Sequence, residues 1–182
     1  LYEYCKKWKL TVNMDMTNIV VFSKGKITKV PQFKYGNINV TYAHSYTYLG
    51  VVMKYNNNFD SAIDKQIAQA NRALHNLLVK SSRLKLPIDI LISLYNMLVL
   101  PVLLYGCEIW GVGNISKVET FQRKFMKKIL KVNYLTPTCI IYAELGNMPV
   151  EYIIKQRILN YWCRIVTSQT NKLSCIMYKY LL

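Results

Sequence analysis

Acidic residues are scarce in this chain: 9 Asp and Glu stand against 24 Lys and Arg over 182 residues. The nine are scattered, with no Asp-Asp pair and no Tyr-x-Asp-Asp, so the residues supply no obvious carboxylate cluster for a two-metal centre. Histidine is nearly absent as well. With only His44 and His75, and with Cys5, Cys107, Cys139, Cys163 and Cys175 forming no C-x-x-C pair, a zinc site is not supported. Odd in number and widely spaced, the cysteines read as reduced, mostly buried thiols of an intracellular protein, nuclear or cytoplasmic. Only seven glycines occur, and none forms a phosphate-cradling loop. Ser-His-Asp and Cys-His groupings of recognisable spacing are missing too. Nothing among these residues performs chemistry by itself.

What is abundant is apolar surface and positive charge. Hydrophobic residues make up 52% and charged residues 18%, which argues against disorder and for a packed core. A net charge of +15 favours a polyanionic partner, nucleic acid or an anionic membrane surface. The excess is uneven: residues 1–58 carry +6, residues 59–115 carry +1 and residues 116–182 carry +8. Two basic segments therefore flank a nearly neutral, oily middle. The N-terminus lacks the basic-then-apolar layout of a signal peptide. Leu1 to Trp8 reads as the end of a helix already under way, its lysines suited to the negative C-terminal dipole, and the expectation is a piece of a longer chain.

Residues 1–58 predict short strands. Ile19–Phe22 is β-branched, Phe33–Tyr35 and Ile38–Tyr42 flank a Gly36-Asn37 turn, and Tyr48–Met53 reads as a further strand of a small meander. The turn-prone Asn56-Asn57-Asn58 marks the boundary of a second region, 59–182. There the period changes: Ile63, Ile67, Ala70, Leu74 and Leu77 make an apolar stripe on one helix face, with Lys65, Gln66, Gln69, Arg72 and Asn76 off it. A helix over 59–83 would be about 37 Å long. Pro87 suits the start of the next helix, and Ser116-Lys117-Val118-Glu119 matches a capping box for another. Thr136-Pro137 and Asn147-Met148-Pro149 punctuate two more, the last ending near Ser168. The expected class is α+β: a small antiparallel sheet followed by a mostly helical region.

Ile90–Cys107 contains 18 consecutive uncharged residues, the length of a membrane span. Ser93, Asn96, Pro101 and Gly106 within it, and the lack of a second such segment, favour a buried core helix. The helix after Ser116 carries Lys124, Lys127, Lys128 and Lys131 at i, i+3, i+4 and i+7, beside an apolar stripe of Val118, Phe121, Phe125, Ile129 and Val132. Like charges at that spacing repel by a few tenths of a kcal/mol per pair. A row of phosphates would relieve the repulsion and release counterions. The +8 balance around the stripe favours nucleic-acid contact over a merely solvated face.

Several blocks, in order, carry a resemblance. They are Trp8-Lys9-Leu10-Thr11-Val12-Asn13 with Asn18-Ile19-Val20-Val21-Phe22, then Tyr48-Leu49-Gly50, then Leu100-Pro101-Val102-Leu103-Leu104-Tyr105-Gly106-Cys107-Glu108-Ile109-Trp110. Phe121-Gln122-Arg123-Lys124-Phe125, Glu144-Leu145-Gly146 with Pro149, and Tyr161-Trp162 extend the series. Together they resemble the back half of a reverse transcriptase from non-LTR (LINE-type) retrotransposons, from the end of the palm through the thumb. The resemblance implies a palm end over 1–58 and a thumb and connection region over 59–182. It also implies catalytic aspartates located before Leu1, on a palm and fingers of the same polypeptide. Mg²⁺ is expected for the full-length family enzyme and no cofactor for this chain, which alone should be inactive.

The implied partners are an RNA template and a DNA primer–product duplex, with no membrane. Tyr48-Leu49-Gly50 would belong to the hairpin called the primer grip, where the backbone holds the primer's 3′ end; the alternative is a core Tyr and Leu with a bend at Gly. One stretch departs from the pattern. Asn13-Met14-Asp15-Met16-Thr17 has Met16 where the family usually has lysine, and a thioether neither donates a proton nor carries charge. Lys24 or Lys26 substitutes, or Met16 simply packs. A standalone basic nucleic-acid-binding module, a decayed retroelement relic and a basic membrane-associated protein remain competing readings.

Overall fold

The computed structural model describes residues 1–23, 31–168 and 172–181; Lys24 and Lys26 lie outside them. The chain divides into two compact units, Leu1–Ala62 and Ile63–Leu182. Among the described residues the elements are mostly helices with three two-stranded ladders, an α+β arrangement dominated by helix.

In the first unit, helix α1 (Tyr2–Lys7) buries Cys5 and ends on Lys6 and Lys7, where positive charge meets the helix dipole. Asn13 caps a 3₁₀ turn over Met14–Met16, its Oδ1 accepting from the Asp15 N–H at 3.1 Å. Met16 does not pack: it is 72% exposed. The sheet is not a single meander. Strand β1 (Asn18–Ile19) pairs in parallel with β4 (Thr41–Tyr42), while β2 (Lys34–Tyr35) and β3 (Ile38–Asn39) form an antiparallel pair around Gly36-Asn37. Tyr2 meets the Tyr35 ring edge-on at 5.3 Å.

A second hairpin joins β5 (Ser45–Tyr48) to β6 (Val51–Lys54), with Tyr48 opposite Val51. The predicted strand Tyr48–Met53 is thus interrupted by a turn. Leu49 and Gly50 both have positive φ, 46° and 87°, the conformation that a two-residue turn needs to follow the strands' right-handed twist. Asn58 then starts α2 (Asp60–Leu84), its Oδ1 accepting from the Asp60 N–H at 2.7 Å.

In the second unit the buried positions of α2 include Ile63, Gln66, Ala70, Leu77 and Ser81. Ile67 and Leu74 are only half-buried, so the inward face is rotated from the apolar stripe and Gln66, assigned to the outside, lies inside. After Pro87, α3 (Ile88–Leu94) runs into a π-helical stretch, Tyr95–Val99, and then α4 (Leu100–Leu103). Pro101 explains the wide turn, since it offers no N–H to Met97 and its ring would crowd that carbonyl in an α-helix. Within the oily run Gly106, with a φ of 68°, precedes α5 (Cys107–Trp110). Among the described residues no helix is long and apolar enough to cross a membrane.

Trp110, Tyr95, Val99, Leu103, Leu104 and Cys107 are fully buried, and Tyr95 stacks on Phe125 at 4.1 Å between ring centres. Gly111 ends α5 against α8 (Val150–Thr167); a Cβ there would lie 2.5 Å from Ile154 Cγ2, so only glycine permits this approach.

Helix α6 (Ser116–Leu130) buries Val118, Phe121, Gln122, Phe125, Met126 and Ile129. The expected capping box does not form. Asn114 Oδ1 accepts from the Ser116 N–H at 3.0 Å, and Glu119 is engaged elsewhere. Pro137 and Pro149 open α7 (Thr138–Leu145) and α8, as the prolines predict, and α8 stops at Ser168. A last helix, α9 (Leu173–Leu181), follows.

Helix α8 has no side-chain cap of its own. Gln122 Oε1 accepts from the Val150 N–H at 2.8 Å and Glu119 Oε1 from the Glu151 N–H at 2.7 Å. Gln122 Nε2 donates to the Met148 carbonyl at 3.1 Å, and the Tyr142 hydroxyl lies within reach of both Gln122 and Glu119. Helix α6 therefore satisfies two of the orphan amides of α8 and places a negative charge at its positive end.

The Q122A variant should lose about 2–4 kcal/mol of stability, because it strands a buried amide and carbonyl as well as removing their hydrogen bonds. Urea denaturation measures this; a loss below about 0.5 kcal/mol would contradict the role given to the carboxamide.

Burial pushes the Cys107 thiol up to about 11, against an ordinary value of 9.0. Burial also raises the phenols of Tyr95 and Tyr142, with the nearby Glu119 charge adding to both. Each is an acid held neutral by folding, so its contribution is complete below its unfolded pKa and is lost as pH rises through the folded one. The melting temperature should stay level up to pH 9.0 as far as these groups set it, then fall towards pH 11, with C107A falling less; a level profile to pH 11 would contradict the assignment.

Candidate nucleic-acid interface

The buried face of α6 sets the direction of its polar face. With Phe121, Phe125 and Ile129 locked inward, Lys124 and Lys128 project outward one turn apart and are exposed. Neither has an ion-pair partner among the described residues. The other two members of the predicted stripe behave differently. Lys127 Nζ donates to the Tyr134 carbonyl, which ties its ammonium to the loop after the helix. Lys131 is exposed but sits beyond the last helical turn with a φ of 55°, so it leaves the helical register.

Helices α2 and α6 jointly line a groove. One stretch, of about 380 Å³, is bounded by Asp64, Ile67, Asn71, Thr120, Phe121 and Lys124 among others. The next, of about 610 Å³, is lined by Asn71, Arg72, Leu74, His75, Asn76, Leu78 and Lys128. Asn71 belongs to both, so the two stretches adjoin. Asp64 is the one carboxylate among these lining residues, and Lys117 Nζ pairs with it at 2.6 Å. Both partners are more than half exposed, so the pair contributes at most about 1 kcal/mol, and its main effect is to neutralise the acid. What remains along the groove is Lys124, Lys128 and Arg72, with Asn71 and Asn76 as neutral donors.

Arg72, His75 and Asn71 were not among the predicted site residues. Their signal was present in the spacing: Asn71, Arg72, His75 and Asn76 fall three and four apart, next to the half-buried Ile67 and Leu74. Tyr48-Leu49-Gly50 lies in the other unit, at the tip of the β5–β6 hairpin. Tyr48 is 56% exposed and Leu49 is 72% exposed, so neither is a core residue. Among the described residues no group of three or more His, Cys, Asp or Glu side chains could hold a metal ion.

Comparison with known proteins gives two relatives, both named as polymerases. The chain is 24% identical over 148 residues to a probable RNA-directed DNA polymerase from the transposon X-element of Drosophila melanogaster, a match covering 79% of this chain and 16% of that protein. It is 25% identical over 131 residues to the RNA-directed DNA polymerase from the mobile element jockey of Drosophila funebris, covering 70% of this chain and 14% of that protein. The matches thus span about one sixth of the relatives' length. No family model and no solved structure matches the chain. Over most of its residues, this chain is similar to a part of the RNA-directed DNA polymerases of non-LTR retrotransposons.

Proposed function

We propose that the chain is the palm end and thumb of a retrotransposon reverse transcriptase, and that it grips the primer and the template–product duplex. Residues 1–58 form the palm end and 59–182 the thumb and connection. The catalytic aspartates and their Mg²⁺ belong to the palm and fingers of a longer polypeptide. The observation that carries this reading is the groove between α2 and α6, where Lys124, Lys128 and Arg72 stand exposed and the only lining acid is already paired. Ammonium and guanidinium groups along one groove suit a row of phosphates, and neutral Asn and Thr side chains add hydrogen bonds without reading sequence. Such binding follows backbone charge and duplex shape, as a polymerase that must accept any product requires.

The β5–β6 turn supplies the second contact. Tyr48, Leu49 and Gly50 would hold the primer's 3′ end, and Gly50 lets the backbone come close because it lacks a side chain. Positioning of this kind matters because phosphoryl transfer depends mainly on alignment and charge neutralisation.

The salt dependence of binding to a blunt RNA–DNA hybrid tests the grip. The K124Q/K128Q variant should flatten the slope of log affinity against log salt by about two units, one for each phosphate that a lysine no longer neutralises. K127Q should leave the slope nearly unchanged, because its ammonium is committed to the Tyr134 carbonyl. An unchanged slope in the double variant would return α6 to an ordinary solvated face.

A further inference from the structure

Two of the ordered sequence blocks have no part in the duplex grip: the end of the Leu100–Trp110 run and Tyr161-Trp162. The fold brings them together. Glu108 and Ile109 of α5, with Arg157, Asn160, Tyr161 and Arg164 of α8, line one open cleft of about 440 Å³. The four α8 residues are spaced i, i+3, i+4 and i+7, so they form a single stripe two turns, about 10 Å, in length. A guanidinium stands at each end, with a carboxamide and a phenol ring between.

Among the described residues Glu108, Arg157 and Arg164 form no ion pair, although opposite signs line the same space. Arg157 is half-buried beside α5, where its Nη1 donates to the Leu104 carbonyl at 3.5 Å and its guanidinium also interacts with the Cys107 side chain. Tyr161 and Ile109 are each 44% exposed, leaving a ring face and an aliphatic wall open to solvent.

The geometry points to a second nucleic-acid site, which takes one unpaired nucleotide of single-stranded RNA together with its flanking phosphates. Each guanidinium offers a planar fork to a phosphate. Two forks at opposite ends of the stripe leave room for one nucleotide between them. Tyr161 supplies the stacking surface and Ile109 the apolar side, a combination that accepts any base whose face is free. Asn160 presents both a donor and an acceptor to the base edge. The Glu108 carboxylate accepts from a ribose 2′-hydroxyl or an exocyclic amine, and it repels phosphate, which keeps the backbone on the α8 side. A paired base inside a duplex exposes no face to Tyr161, so the cleft selects single strand.

This site rests on the same view of the chain as a nucleic-acid handler, but it shares no residue with the α2–α6 groove. Binding of the full chain to a short single-stranded RNA and to a blunt RNA–DNA hybrid, followed by fluorescence anisotropy, separates the two. Y161A should weaken the single strand about tenfold, the scale of one base stacked on an aromatic ring, and leave the hybrid within about twofold. R164Q should weaken the single strand as well, with R164K intermediate because it keeps the charge and loses the fork. K124Q/K128Q should show the reverse pattern, and thermal midpoints close to the parent's exclude misfolding in each variant. Equal losses for both ligands in Y161A, or single-strand binding untouched by Y161A and R164Q, would overturn the site. Hybrid binding without any RNA single-strand binding overturns it too and leaves the duplex grip standing; single-strand binding without hybrid binding does the converse.

Discussion

Gln122 and Glu119, one turn apart on α6, hold the N-terminus of α8 with side chains supplied from another helix. The arrangement is costly to lose because a buried amide or carbonyl left without a partner keeps its full desolvation penalty. Helix α8 begins at a proline and carries no cap of its own, so its direction depends on α6. That direction in turn places Ile154 against Gly111 and puts Arg157 and Tyr161 beside α5. The stacked pair Tyr95 and Phe125 joins the same helix to the oily run, so α8 and the oily run both meet on α6.

The same helix presents the basic face. Because Phe121, Gln122, Phe125 and Met126 are all buried, α6 cannot rotate without breaking the core, and Lys124 and Lys128 are thereby directed along the groove with α2. Rigid carriage of charge matters for a duplex grip, since phosphate positions are set by the helix being held. Placing lysines on a core helix instead of a tail removes the entropy of ordering a flexible segment on binding.

Much of this was readable from local pattern. The period of α2 and α6, the prolines before α7 and α8, the stop at Ser168 and the asparagines ahead of α2 all correspond to short-range rules of packing and capping. The errors arose where a distant residue competed with a near one. Glu119 fits a capping box, yet the Glu151 amide captures it instead. Gln66 and Gln122 are polar by type and buried in fact, and for Gln122 the reason is a set of backbone partners on other elements that no periodicity reveals. Tyr48–Met53 reads as one strand because Leu49 disguises a turn that its positive φ makes. The grooves themselves pair helices distant in sequence, so only the fold identifies Arg72 as a neighbour of Lys128.

The most direct test of the central claim, that α6 carries the duplex-binding face, is photocrosslinking of a blunt RNA–DNA hybrid to the full chain, followed by mapping of the modified peptides. Crosslinks on α2 between residues 64 and 78 and on α6 between residues 116 and 128 are the predicted result, joined by the β5–β6 turn. Crosslinks confined to other segments, with none on α6, would contradict the account.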